Sequence, residues 1–298
     1  MSRSHEQWQT VRATVEEVGD RFARLLTAAP PQAMATRDWT VAETGAHVAS
    51  IARLYTAIVR DDGSPHPYPE LAGPIANTNV DTVADVNDLA LRSYPERDPV
   101  ELARRLRADL AEVLRITEHL DPETPIPWLG EARVPIAGVL AHIVNEMHLH
   151  GWDIARAVRV PWTIPPREAA LFFDLFLIGM IRGDYGRLME TAGPKRRGRI
   201  AVQFHSRYTA PATLVLHDGR VSAVDPGPGT DIHLRFDPPT LNLMLFGRVS
   251  RPKAVLTGKI AAWGPRLWLL PPFLREVRLP ANRRPRRHYA TPEAALDT

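Results

Sequence analysis

The hydrophobic period of this 298-residue chain changes once, and the change divides it. Up to about residue 190 apolar residues recur three and four apart, the spacing of one buried helix face. From Ile200 onward they alternate, the spacing of a half-buried strand. Two domains are therefore expected: a helical one over residues 1–192 and a small α+β one over residues 198–280, followed by a basic, flexible tail over 281–298. The Gly-Pro-containing basic stretch from Gly193 to Gly198 is the expected boundary.

In the first part, Trp8, Val11, Val15, Val18, Phe22, Leu25 and Leu26 draw one stripe down a long helix that Pro30 and Pro31 end. Thr40 followed by Glu43 is a capping box, predicting a second helix from Val41 to Arg60 with His47 near its start. Asp61 to Asn79 reads as a long loop able to cover a pocket, and a short helix follows over Thr82 to Ser93. Asp98, Pro99 and Glu101 start a third long helix with Leu102, Leu106, Leu110 and Leu114 on its core face. Asp121 to Pro135 is a structured loop or small hairpin. Long helices are then expected over Ile136 to Arg159 and Pro166 to Met189.

In the second part, Ile200, Val202 and Phe204, then Leu214 and Leu216, Val221 and Ala223, and Ile232, Leu234 and Phe236 read as four strands, with a turn at His217 to Arg220. Helices are expected from Asp237 to Phe246 and around Pro252 to Leu256 and Pro265 to Leu270.

Composition removes several functions. With no cysteine, disulfides, thiolate metal sites and a cysteine nucleophile are excluded, so any thiol chemistry must use a small-molecule thiol. No apolar run approaches the roughly 20 residues of a membrane span, and MSRSHEQWQT holds no apolar signal core, so a cytoplasmic location is expected. The basic runs Lys195 to Arg197 with Arg199, and Arg283 to Arg287, fall in the linker and the tail, and nucleic acid is not an expected partner.

Chemistry concentrates in the run EMHLH. Glu146 and His150 stand four apart and project from one helical face about a turn from each other. A tight site needs a third donor from another element, and His47 is the candidate. His142 is a rival, but positions 142 and 150 are separated by about 12 Å of helical rise, too far for all three to bind one ion. Two imidazoles and a carboxylate suit zinc with a fourth position for water or substrate. Each residue singly has an ordinary reading, as a surface histidine or a solvated pair. The apolar neighbours Ile143, Val144, Met147 and Ile154 argue against that, because burying these groups without a partner is costly. His148 points away from the pair, while Asp153 can orient an imidazole or pair with Arg156.

The segments DWTVAETGAHVAS and NEMHLHGWDIARA resemble the two signature segments of the mycothiol-dependent maleylpyruvate isomerase family, within the DinB-like four-helix-bundle superfamily. The resemblance covers roughly residues 5 to 190 and implies zinc at His47, Glu146 and His150, with mycothiol as the thiol. The segments LRFDPPTLNLMLFGR and AVLTGKIAAWG resemble a sterol-carrier-protein-2-like domain over about residues 198 to 280. The arrangement of the family's domains suggests Arg248 as the cation for a carboxylate-bearing substrate. The expected function is a zinc-dependent, mycothiol-using isomerase or S-transferase acting on a small electrophile. Two alternatives remain: a hydrolase in which the same three ligands hold a metal that activates water, or a lipid-binding protein in which the bundle is a non-catalytic scaffold and the C-terminal domain encloses a cavity lined by Leu241, Leu243, Leu245, Phe246, Trp263 and Trp268.

Overall fold

In the computed structural model, residues 3–60, 62–63, 66–190 and 196–277 are described, so the first half of the expected boundary, 193–195, and the whole tail, 281–298, lie outside them. Four long helices dominate the first part: α1 (Arg3–Ala28), α2 (Val41–Arg60), and, after the short helices α3 (Ala72–Ala76) and α4 (Val83–Ser93), α5 (Pro99–Ile116) and α6 (Ile136–Val158). Helices α1 and α2 each pack against both α5 and α6. The predicted stripe on α1 is buried from Trp8 through Val11, Val15, Val18 and Phe22 to Leu26.

Local chemistry sets the helix starts. Thr40 N–H donates to Glu43 Oε2 at 2.8 Å and Glu43 N–H to Thr40 Oγ1 at 3.2 Å, the reciprocal pair of a capping box. Asp98 Oδ1 likewise accepts from Glu101 N–H at 2.8 Å, with Pro99 at the first helical position. Between α5 and α6, β1 (Pro125–Pro127) and β2 (Arg133–Pro135) form a small antiparallel hairpin.

The apolar helix expected to run from Pro166 to Met189 is shorter and irregular. It consists of α7 (Pro166–Leu171), a π-helical stretch Phe172–Leu177, and α8 (Ile178–Arg182). It stops at Gly183 because the following chain bonds to the hairpin instead: Asp184 O accepts from Arg133 N–H at 2.6 Å, and Gly130 O from Arg187 N–H at 2.7 Å. The π stretch lies against α6 at Gly138, where a Cβ would come within 2.7 Å of Leu175 O. No larger residue fits there.

The remainder is a five-stranded sheet of β3 (Arg199–His205), β4 (Ala212–His217), β5 (Arg220–Val224), β6 (Ile232–Phe236) and β7 (Ile260–Trp263), with α9 (Pro238–Leu245), α10 (Arg251–Leu256) and α11 (Leu270–Glu276). The strand order is β5-β4-β3-β6-β7, with β3 and β6 parallel and the other pairs antiparallel. The four predicted strands are present, and β7 is an addition. The π stretch connects the two parts, since the Phe173 ring packs 4.9 Å from Phe236 and 5.5 Å from Phe204. Among the described residues no helix is long and apolar enough to cross a membrane.

Candidate functional site

Helices α2 and α6 lie side by side, and their contact brings the three sequence-selected residues together. His47 Nε2 lies 3.4 Å from Glu146 Oε2, and His150 Nε2 lies 3.4 Å from the same oxygen. All three are buried, at 3%, 7% and 3% exposure, and one donor atom from each lies within 4.8 Å of the others. A charge-assisted hydrogen bond is shorter, about 2.7–2.9 Å. Two ligands about 2.0–2.1 Å from a tetrahedral ion stand about 3.4 Å apart, so the spacing fits co-ligands better than hydrogen-bonded partners.

The surrounding groups fix His150 firmly. Its Nδ1 meets Asp153 Oδ2 at 3.1 Å, which leaves Nε2 facing Glu146. Asp153 in turn accepts from Arg248 through Nη2 at 2.6 Å and Nε at 3.2 Å, and Arg248 Nη1 donates to Phe246 O at 2.8 Å. Arg248 therefore stands behind Asp153, and the predicted alternative partner Arg156 stacks on Trp152. His47 is held differently. Its Nδ1 is buried without a hydrogen-bond partner, and its ring packs against Trp39 at 4.7 Å and His150 at 5.1 Å.

These contacts polarise the site. Burial alone would raise the Glu146 pKa, but the imidazoles of His150 and His47 reverse that and hold it well below the usual carboxylate range. Burial lowers His47, against the pull of Glu146. Burial also opposes a charge on His150, yet Asp153 and Glu146 outweigh it and raise the pKa. Asp153 is lowered, burial being overcome by His150 and Arg248.

The rival His142 occupies a separate chain of contacts. Its Nε2 is 3.7 Å from Glu146 Oε1, its Nδ1 is 2.9 Å from Tyr55 Oη, and that oxygen accepts from Trp128 Nε1 at 2.8 Å. His148 points away from the group, with Nε2 2.9 Å from Glu168 on α7. Gly151, between His150 and Trp152, has no room for a Cβ because the Trp162 indole lies against it, its Nε1 donating to His148 O at 3.1 Å. The HGWD segment thus combines one close-packing position with an imidazole and the carboxylate that orients it.

A cavity of about 840 Å³ opens on this group, lined by His47, Glu146, His150, Arg248 and the inner faces of α2 and α4. A smaller one of about 540 Å³ shares His150 and Arg248 and includes Trp39 and Asp153.

Residues 8–155 match the family described as the mycothiol maleylpyruvate isomerase N-terminal domain. Through this domain the chain belongs to the mycothiol maleylpyruvate isomerase family. The matched span of the isomerase family contains His47, Glu146, His150 and Asp153 but ends before Arg248. Among solved structures, similarity extends to a mycothiol-dependent maleylpyruvate isomerase, at 12% identity and TM-score 0.47, covering 84% of this chain and 94% of that one. A mutant of that isomerase gives 11% identity and TM-score 0.44, covering 88% and 95%. An inverting sec-alkylsulfatase from Pseudomonas sp. gives 13% identity and TM-score 0.26, covering 76% of this chain and 32% of that one. No curated protein matches. These structural similarities are weak, and membership in the isomerase family rests on the domain match.

Several contributors to the site were not singled out from sequence. Trp39 closes over His47 and His150, Tyr55 joins Trp128 to His142, and buried Asn242 donates to Asn145 Oδ1 and Ala169 O at 3.0 Å each, fastening α9 to α6 and α7. Tyr55 carried a faint signal, two turns after His47 on the same helix. The lipid-binding alternative places six C-terminal residues around an apolar cavity. Of the six, Phe246 lines the cavity beside His150, Leu241 is buried, and Trp263 and Trp268 are 47% and 70% exposed.

Proposed function

We propose that His47, Glu146 and His150 hold one divalent metal, zinc by the character of the donors, and that the chain is a mycothiol-dependent enzyme of the isomerase type. The observation that carries this reading is the set of three buried donors, spaced as co-ligands, in the wall of a large cavity. Among the described residues no fourth histidine, aspartate or glutamate joins them, which leaves a coordination position for an outside ligand. The family match supplies the thiol.

When bound, a metal held by His47, Glu146 and His150 would lower the pKa of a thiol and so supply a sulfur nucleophile at neutral pH for reversible C–S bond formation with an activated alkene. The chain's residues prepare for this. Asp153 fixes the tautomer and direction of His150, and Arg248 fixes Asp153. Arg248 also lines the cavity, where its remaining N–H groups can meet an oxygen that gains charge. Trp39 packs against both imidazoles and holds their rings in place. S-transfer differs only in that the C–S bond persists.

The packing of α1, α2, α5 and α6 supports a DinB-like four-helix bundle for residues 1–192, and the five-stranded sheet supports a sterol-carrier-protein-2-like domain for 198–280. The test is turnover of an activated cis-alkene by purified full chain, with and without mycothiol. Turnover that requires both metal and thiol is expected; equal rates without thiol would favour metal-activated water and contradict the proposal.

A further inference from the structure

The two cavities that meet at His150, Asn87, Phe246 and Arg248 differ in chemistry. The smaller is lined by Arg37, Asp38, Asp88, Asp153 and Arg156 together with Trp39 and Trp152, a surface suited to a hydroxyl-rich molecule. The larger has a more apolar lining, to which α2 and α4 contribute Ile51, Leu54, Ile58, Val83 and Val86. Its volume of about 840 Å³ lies in the upper range of pockets that enclose drug-sized molecules, about 300–1,000 Å³. A four- or five-carbon diacid would leave most of it unfilled.

The charges in the larger cavity also disfavour a dianion. Its guanidinium groups are those of Arg53, Arg60, Arg133 and Arg248. Arg248 is gripped by Asp153 through two hydrogen bonds, and Arg60 is paired with Glu112 at 2.9 Å. Arg53 lines the cavity from α2 and is exposed to solvent. Arg133 is exposed to solvent. Glu146, Asp109 and Asp62 are also at this surface, and Arg248, the guanidinium joined to the candidate metal residues through Asp153, is already engaged by a carboxylate. Arg248 can offer a hydrogen bond to one carbonyl oxygen.

We propose that the larger cavity takes a bulky, largely apolar electrophile with a single carbonyl beside its reactive double bond, while the polar thiol reaches the same centre from the smaller cavity. This rests on the thiol-dependent reading above and narrows its substrate. It sets this chain apart from an enzyme of small diacids although it shares their family.

The experiment uses metal-loaded full chain and two saturated probes that bind without reacting, 4-phenyl-2-butanone and succinate, followed by calorimetry. The ketone is expected to bind roughly tenfold or more tightly than succinate. Ile58→Trp and, separately, Ile75→Trp, which fill the cavity from two different helices, are each expected to weaken the ketone by roughly tenfold. Two variants guard against misfolding of either one. Turnover of (Z)-benzylideneacetone with mycothiol should exceed that of maleylpyruvate in kcat/KM. Succinate binding as tightly as the ketone, or both fillings leaving ketone affinity unchanged, would overturn the proposal. Metal content and mycothiol binding are measured on the same preparation: their absence with the ketone still bound would fault the catalytic reading and leave the cavity assignment standing.

Discussion

Two pairs of histidines in this molecule bring imidazoles together across the chain and differ in the surroundings that matter for a metal. His47 and His150 face a shared carboxylate oxygen, are buried, and look into a cavity. His205 and His233, on neighbouring parallel strands, touch each other at 3.1 Å and stack on the half-exposed Trp263 at 5.8 Å and 5.5 Å. In the second pair burial and then the neighbouring imidazole lower the His205 pKa, and among the described residues no carboxylate stands between the rings. Nearness of imidazoles is thus not what distinguishes the first group. A carboxylate held ionised in a buried place is, because such a charge is costly unless a cation or strong donors meet it.

The largest expected effect that could break this contrast comes from His150→Ala beside His148→Ala. The first should lose stoichiometric metal and thiol-dependent turnover, while the second should keep both. His148→Ala should instead cost about 1–3 kcal/mol of stability, because Glu168 loses its buried partner. Equal metal content in the two purified variants would remove the distinction between the faces of α6.

Asp153→Asn should come next. It keeps the shape but weakens the hold on both His150 and Arg248, and a loss of about 10–100-fold in metal affinity is expected in a competition titration with a chelating dye. Unchanged affinity would mean that Asp153 serves only to dock α9 and its following loop. Tyr55→Phe should leave metal content intact and lower stability by about 1–3 kcal/mol in chemical denaturation, since Trp128 Nε1 and His142 Nδ1 lose their shared partner. The smallest effect is expected from the double change His205→Ala, His233→Ala: no loss of tightly bound metal by elemental analysis. Loss of one equivalent would erase the comparison altogether.

How far the sequence revealed this arrangement depends on the range of the interactions concerned. The starts of α2 and α5 were legible because Thr40 with Glu43, and Asp98 with Glu101, act within four residues. Glu146 and His150 were legible for the same reason, through helical spacing. The short end of α8 was not, because its cause is a set of hydrogen bonds from the following chain to the β1–β2 hairpin. Nor was the π stretch, whose apolar run reads as regular helix until Gly138 brings α6 against Leu175. Strand β7 has only four residues, with two central alanines, too little alternation to register. At the site itself, Arg248 grips Asp153 from 95 positions away, so its partner could be found only in three dimensions.

Metal-edge X-ray absorption on the metal-loaded full chain, before and after addition of mycothiol, tests the central claim most directly. The expected result is two imidazole nitrogens and one carboxylate oxygen before addition, with one sulfur at about 2.3 Å appearing afterwards. A spectrum without imidazole scattering, or one that mycothiol leaves unchanged, would contradict it.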